Sequence, residues 1–221
     1  MTINQNTDIE IVLASASLRR QQFLRDLGLR FTALATDIDE TPLPDETPEE
    51  MTLRLAISKA QTAAARHAPH QSGCLIIASD TTVAMDGAIY GKPEDAADAT
   101  RMLRDLRGRS HQVVSALCLL RLPEGEMHTR VNWTEVAMRT YSDAEIAAYI
   151  ASGDPLDKAG AYGIQTSPFS PVTGLRGCFA SVMGLPLADL RNLLGSFGVP
   201  VRQPVAPICR RYGAQGCCAD G

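Results

Sequence analysis

Apolar residues along this chain follow two alternating rhythms: short continuous runs, and stripes that recur every three or four positions. Residues 9–14 (IEIVLA), broken only by Glu10, predict a short buried strand. Residues 17–27 predict a helix with Phe23, Leu24 and Leu27 as its apolar stripe and Gly28 just past its end. Residues 31–35 return as a strand. Thr47-Pro48-Glu49-Glu50 is a capping box that opens a long helix, its buried face marked by Leu53, Ala56, Ile57, Ala60 and Ala64. Residues 74–78 form a buried strand that continues through Ser79-Asp80-Thr81-Thr82. Asp86-Gly87 then signals a two-residue hairpin turn pairing Met85 with Ala88 and Val83 with Tyr90, and in continued register Thr81 with Lys92. A helix over 94–106 closes at Gly108, and 111–122 with 127–138 form a hairpin around Pro123-Glu124-Gly125. Ser142-Asp143-Ala144-Glu145 is a second capping box, and a last helix covers about 187–194. From Val199 onward, repeated proline and glycine without helical period predict a flexible tail (199–221) outside a single domain (1–198). Strand–helix alternation mixed with hairpins predicts an α/β fold with a mixed sheet.

Composition narrows the class. The chain has 221 residues, 45% of them hydrophobic, enough for one domain with a sizeable core. A net charge of −4 argues against broad binding to nucleic acid or to an anionic membrane. No apolar run reaches the roughly 20 residues of a membrane helix, and the start MTINQNTDIE does not have the order of a signal peptide, so a cytoplasmic protein is expected. The six cysteines form no C-x-x-C pair, and Cys74 and Cys118 sit in apolar runs as reduced core residues. The four histidines show no metal spacing, and no G-x-S-x-G elbow is present.

Several stretches could carry chemistry. In Ala14-Ser15-Ala16-Ser17-Leu18-Arg19-Arg20, a strand ends and a helix begins, which favours an anion. Two arginines in a first helical turn oppose the helix dipole unless a phosphate or carboxylate binds there; otherwise they point to solvent. Asp37-Ile38-Asp39-Glu40-Thr41 follows a strand and reads either as a Mg²⁺ site or as a solvated acidic loop. Asp80, Thr81 and Thr82 close an apolar strand at the end where α/β sheets gather ligands, although an aspartate there can also cap a turn. Gly87 to Pro93 fails as a P-loop: its glycines are too close and a proline follows the lysine. Lys59, beside the apolar face of the long helix, would alone be an ordinary surface lysine. Residues 157–165 (DKAGAYGIQ) form a loop whose small residues permit close backbone approach.

S-A-S-x-R-R, the D-E ending at Glu40, R-L-A-x-x-K-A, S-D-T-x-V, G-K-P and D-K-A-G-A-Y-G-I-Q, in this order, resemble the Maf family of nucleotide pyrophosphatases from about Ile9 to Leu194. The resemblance implies an elongated mixed sheet flanked by helices, two lobes with a central cleft, and a homodimer as a common assembly. It implies that Ser15, Arg19 and Arg20 bind phosphates, and that Lys59 and Lys92 neutralise the triphosphate. Glu40 and Asp80 would hold a divalent cation, Mg²⁺ or Mn²⁺. Asp80 would be the catalytic carboxylate, Thr81 and Thr82 would contact the nucleotide, and Gln165 would complete the site. The glycine loop with R-R and G-K-P looks like the branch acting on dTTP and UTP; the 7-methyl-GTP branch carries a tryptophan near the first arginines, whereas Trp133 here lies far off. Two positions depart from the family pattern, Leu18 for a proline and Ser79 for an alanine, and neither removes a functional group. A nucleotide-sensing division regulator without turnover is the competing reading from another class.

Overall fold

The computed structural model describes residues 9–67, 73–165 and 167–216. Its backbone is one seven-stranded mixed sheet. In chain order the elements are β1 (Glu10–Leu13), α1 (Leu18–Asp26), β2 (Thr32–Ala33), α2 (Pro48–Arg66), β3 (Cys74–Met85), β4 (Ala88–Tyr90), α3 (Ala96–Leu106), β5 (Ser110–Leu122), β6 (Met127–Met138), α4 (Asp143–Ala151), β7 (Val172–Arg176), α5 (Phe179–Val182), α6 (Leu187–Ser196) and α7 (Val205–Arg211). The strand order is β2-β1-β3-β5-β6-β7, with β4 also paired to β3. β1 runs parallel to β2 and β3, and every other pairing is antiparallel.

The elements form where local chemistry directs. Thr47 and Ser142 cap α2 and α4 through complete capping boxes with Glu50 and Glu145. Asp86 and Gly87 turn the β3–β4 hairpin with φ of 53° and 80°, as a two-residue turn of the mirror-image type requires. The register of that hairpin is Met85↔Ala88 and Val83↔Tyr90, and it stops there. The expected extension to Thr81 and Lys92 does not form, because Gly91 and Pro93 lead the chain away after Tyr90.

Burial follows strand alternation. Along β3, Leu75 and Ile77 pack on one face with Phe23, Leu24 and α6, while Cys74, Ile76 and Ala78 pack on the other against Ala56, Ala60 and Ala63 of α2. A third cluster at the far end of the sheet gathers Val83, Met85 and Tyr90 with α3 and α4. β3, β5 and β6 hold 12, 13 and 12 residues, so the sheet is about 40 Å long at strand rise. This is the elongated mixed sheet with flanking helices that the resemblance implies.

Three further features differ from expectation. The strand over 31–35 shrinks to Thr32–Ala33 at the sheet edge. β7 and α5 lie in a stretch without clear period. The segment from Val199, expected as a flexible tail, instead folds back: α7 starts after Pro204 and buries Val205, Ile208 and Cys209, with Val199 and Ala214, in the first cluster. Proline at a helix start breaks the periodicity that sequence reading depends on, and one apolar face of seven residues is too short to register. Cys217 and Cys218 lie outside the described residues.

Ile208, only 3% exposed, tests this docking. Ile208→Ala should lower unfolding free energy by about 2–5 kcal/mol in urea titration. An unchanged midpoint would show that α7 is not part of the core.

Candidate active site

The cleft exists because β3 outruns its neighbour. β1 stops at Leu13, and the Ala14 amide makes a last bond to the Ile77 carbonyl (2.8 Å) before the chain turns into α1. On that same side, β4 joins β3 only at Val83. Between them, residues 78–82 of β3 pair with β5 alone. This is an opening inside the sheet at the carboxyl end of β1, where α/β folds gather ligands. A cleft of about 1320 Å³ opens there, lined by Ser15, Arg19, Arg20, Glu40, Lys59, Asp80, Thr81, Thr82, Lys92 and Gln165 among others. All ten residues to which the family resemblance gives a role therefore line the same cleft, whereas Asp37 and Asp39 of the acidic loop do not.

Strand alternation sorts the groups. Asp80 and Thr82 continue the face that packs on α2, so Asp80 meets Lys59. Lys59 Nζ donates to Asp80 Oδ1 at 2.5 Å and lies 2.7 Å from Glu40 Oε1. Glu40 Oε2 in turn lies 3.4 Å from Lys92 Nζ. The result is a row of alternating charge: Lys92, Glu40, Lys59, Asp80. Lys59 and Asp80 are 7% and 6% exposed, so the pair is a buried one in which each group gives the other its hydrogen-bond partner. Glu40 titrates below its ordinary value: partial burial pushes it up, but the Lys59 hydrogen bond and charge, with Lys92 behind them, outweigh burial.

Ser79 and Thr81 face the other way, toward α1. Arg20 Nε donates to the Gly184 carbonyl (2.9 Å), and its other nitrogens reach Ser15 Oγ (3.5 Å) and Thr81 Oγ1 (3.4 Å). Burial lowers the Arg20 pKa, with Asp80 and Glu40 opposing and Arg19 adding to the lowering. Ser17 caps α1 by accepting from the Arg20 amide at 3.5 Å. Arg19, half-exposed, lines the same mouth of the cleft.

The acidic loop divides as well. Asp37 and Asp39 are exposed, and Asp39 accepts from the Thr41 amide (2.9 Å). Arg54 of α2 clamps the loop through Glu46 (2.5 and 2.7 Å) and the Thr41 carbonyl (3.2 Å), leaving Glu40 turned toward Lys59.

The 157–165 loop forms the far wall. Lys158 is buried and bonds Asp154 and Asp157. Gly160, at φ 68°, donates to the Gly91 carbonyl (3.0 Å), and a Cβ there would meet Val83 at 3.1 Å, so the close approach excludes side chains. Gln165 lines the cleft, while its amide nitrogen donates to the Tyr212 carbonyl at 2.5 Å.

Sequence reading did not find Gly184, Ser115 or the His111–Tyr162 pair. Gly184 sits at φ 100°, and a Cβ there would press on Arg20 Nε at 3.3 Å. Its only signal was a glycine before Leu185-Pro186. Ser115 bonds Thr81 across the β3–β5 ladder (2.8 Å). Beneath the cleft, His111 Nε2 lies 2.7 Å from the Tyr162 hydroxyl, and burial pushes its pKa down to about 4.

For a divalent cation, Glu40 and Asp80 are the oxygen donors brought together, both within 2.7 Å of one ammonium. Among the described residues no group of three or more His, Cys, Asp or Glu could hold a metal unaided. That donor set fits Mg²⁺ or Mn²⁺, which take one or two carboxylates and complete their shell with phosphate oxygens and water.

Comparison with known proteins shows the family. Residues 10–197 match the family described as Maf-like protein. A protein of Pasteurella multocida named dTTP/UTP pyrophosphatase is 42% identical over 198 residues, covering 87% of this chain and 98% of that protein. Proteins of the same name from Chromobacterium violaceum and Myxococcus xanthus are 43% and 44% identical, each over 86% of this chain and over 96% and 94% of their own lengths.

His111 makes the native state sensitive to acid. Its folded pKa lies below its unfolded value near 6.5, so the unfolded chain binds more protons between the two. Its contribution is complete above about pH 6.5 and is lost as pH falls toward 4. Relative to His111→Gln, the wild type should lose up to about 1 kcal/mol per pH unit in that window by urea titration. Parallel pH profiles would show that His111 binds its proton equally in the folded and unfolded states.

Proposed function

The chain belongs to the Maf-like protein family, and from that premise we propose that its cleft hydrolyses dTTP and UTP to the monophosphate and pyrophosphate. The observation that carries the reading is the row Lys92–Glu40–Lys59–Asp80, with Arg20 one residue along at Thr81. A triphosphate brings several negative charges, and this cleft offers Lys92, Arg19, Arg20 and the amides at the start of α1. The names of the relatives support the pyrimidine substrates, and modified pyrimidine triphosphates fit a house-cleaning role for the same chemistry.

Each residue then has a task. Ser15, Arg19 and Arg20 grip the phosphates, and Arg20 is held for this by Gly184 and Thr81. Asp80 positions the attacking water and accepts its proton. The water oxygen bonds to the α-phosphorus as the bridging anhydride bond breaks and pyrophosphate leaves. Lys92 and Lys59 offset charge as it grows on the departing group. Thr81 and Thr82 contact the nucleotide, and Gln165 bounds the site from the far wall. Glu40 and Asp80 would hold Mg²⁺ or Mn²⁺, which when bound supplies Lewis-acid polarisation of the phosphate.

No helix among the described residues is long and apolar enough to cross a membrane. We place the enzyme in the cytoplasm, a reading supported by the free, buried thiols of Cys74 and Cys118. The homodimer rests on the family resemblance, and light scattering on purified protein decides it against a monomer.

Purified protein offered dTTP, UTP, CTP, GTP, ATP and 7-methyl-GTP with Mg²⁺ or Mn²⁺ should release monophosphate and pyrophosphate mainly from dTTP and UTP. Turnover mainly of 7-methyl-GTP would overturn the substrate assignment, and binding without turnover would favour a nucleotide sensor. Asp80→Asn should keep the fold by circular dichroism and lower kcat by about a hundredfold or more. Lys92→Ala should act mainly on KM, and unchanged kinetics would remove Lys92 from the site.

A further inference from the structure

The C-terminal segment lies beyond residues 10–197, the span of the family match, yet it touches both walls of the cleft. On one side Tyr212 reaches α1, the helix that carries Arg19 and Arg20. Its hydroxyl donates to Asp26 Oδ2 at 2.7 Å, and its ring meets Phe23 edge-on at 4.9 Å. Arg211 pairs with the same Asp26 at 3.3 Å. On the other side, the Tyr212 carbonyl accepts from Gln165 Nε2 at 2.5 Å, and the neighbouring Ile164 packs on the core that α7 enters. One residue thus ties the end of the phosphate-gripping helix to the loop closing the opposite wall.

We infer that α7 with Tyr212 is a positioning element for the cleft: it holds Gln165 in place and fixes the distance between the 157–165 loop and α1. An amide with one end already bonded has lost the freedom to flip, so it meets a nucleotide at lower entropic cost. Tyr212 itself touches no substrate and acts through Gln165. The inference rests on the proposed triphosphate hydrolysis and adds to it a part supplied from outside the matched family span.

The test compares wild type, Gln165→Ala, Tyr212→Ala, the double variant and Tyr212→Phe, each as full chain, with kcat and KM measured for dTTP. Tyr212→Ala and Gln165→Ala should each raise KM about three- to tenfold, and the double variant should be no worse than the poorer single. Tyr212→Phe keeps the ring and the carbonyl and should stay within about twofold of wild type in KM. Independent, multiplying effects in the double variant would overturn the inference, as would an unchanged KM in Tyr212→Ala. If Tyr212→Ala melts below the assay temperature, proton exchange at the Gln165 side-chain amide of the wild type is read by NMR. Protection is expected, and exchange at the rate of a free amide overturns the inference. An inactive wild type would count against the proposed hydrolysis, whereas an active wild type with no Tyr212 effect would count against this inference alone.

Discussion

An ammonium group between two carboxylates is the constraint on which this molecule's site depends. Lys59 carries its charge into a place where its side chain is 9% exposed, and that is tolerable only because Asp80 and Glu40 both reach it. The arrangement works in both directions. Without the lysine, two carboxylates would crowd at one end of a cleft that must also accept a triphosphate. Without the carboxylates, a lysine would be buried unpaired on α2. Such a cluster gives little net stability, since desolvation offsets much of the Coulomb gain. What it provides is a fixed position for each charge, which chemistry at phosphorus needs.

The sheet brings these charges together. β3 is long enough to serve two neighbours on one side, β1 at its start and β4 at its end, and the stretch served by neither becomes the cleft. Alternation along that stretch sends Asp80 and Thr82 toward α2, and Ser79 and Thr81 toward α1. The Asp80–Lys59 pair and the Thr81–Arg20 contact therefore sit on opposite faces of the same strand, a residue apart. Hydroxyls complete the link: Ser115 bonds Thr81, and Ser79 shares the Gly184 carbonyl with Arg20.

Much of the plan was legible in the residues. Capping boxes, the Asp86-Gly87 turn and the long apolar run from Cys74 mark their elements because each is a local signal. The motif order brought out Asp80, Glu40, Lys59 and Lys92, and the structure places them in one row. Physical chemistry alone did not single out Lys59, since a lysine beside an apolar stripe looks like any surface lysine until the partner strand is known. The Thr81–Lys92 pairing failed because ladder register says nothing about where a strand ends. Gly184 and Tyr212 were invisible for a related reason: their roles come from contacts across 164 and 47 residues of chain, to Arg20 and to Gln165. The helix near the C-terminus was hidden by the prolines that flank and start it.

The titration of Glu40 gives the most direct view of Lys59 as the node of the site. Carbon-13 NMR of the Glu40 carboxyl, in the wild type and in Lys59→Met, follows that group alone through its pH range. The wild-type carboxyl should titrate below the ordinary glutamate value, because Lys59 and Lys92 outweigh its burial. In Lys59→Met it should rise, because the nearer of its two ammonium partners is gone and Lys92 alone remains to oppose burial and Asp80. A Glu40 titration unmoved by the substitution would contradict the account, since the charges of the cleft would then be held by something other than Lys59.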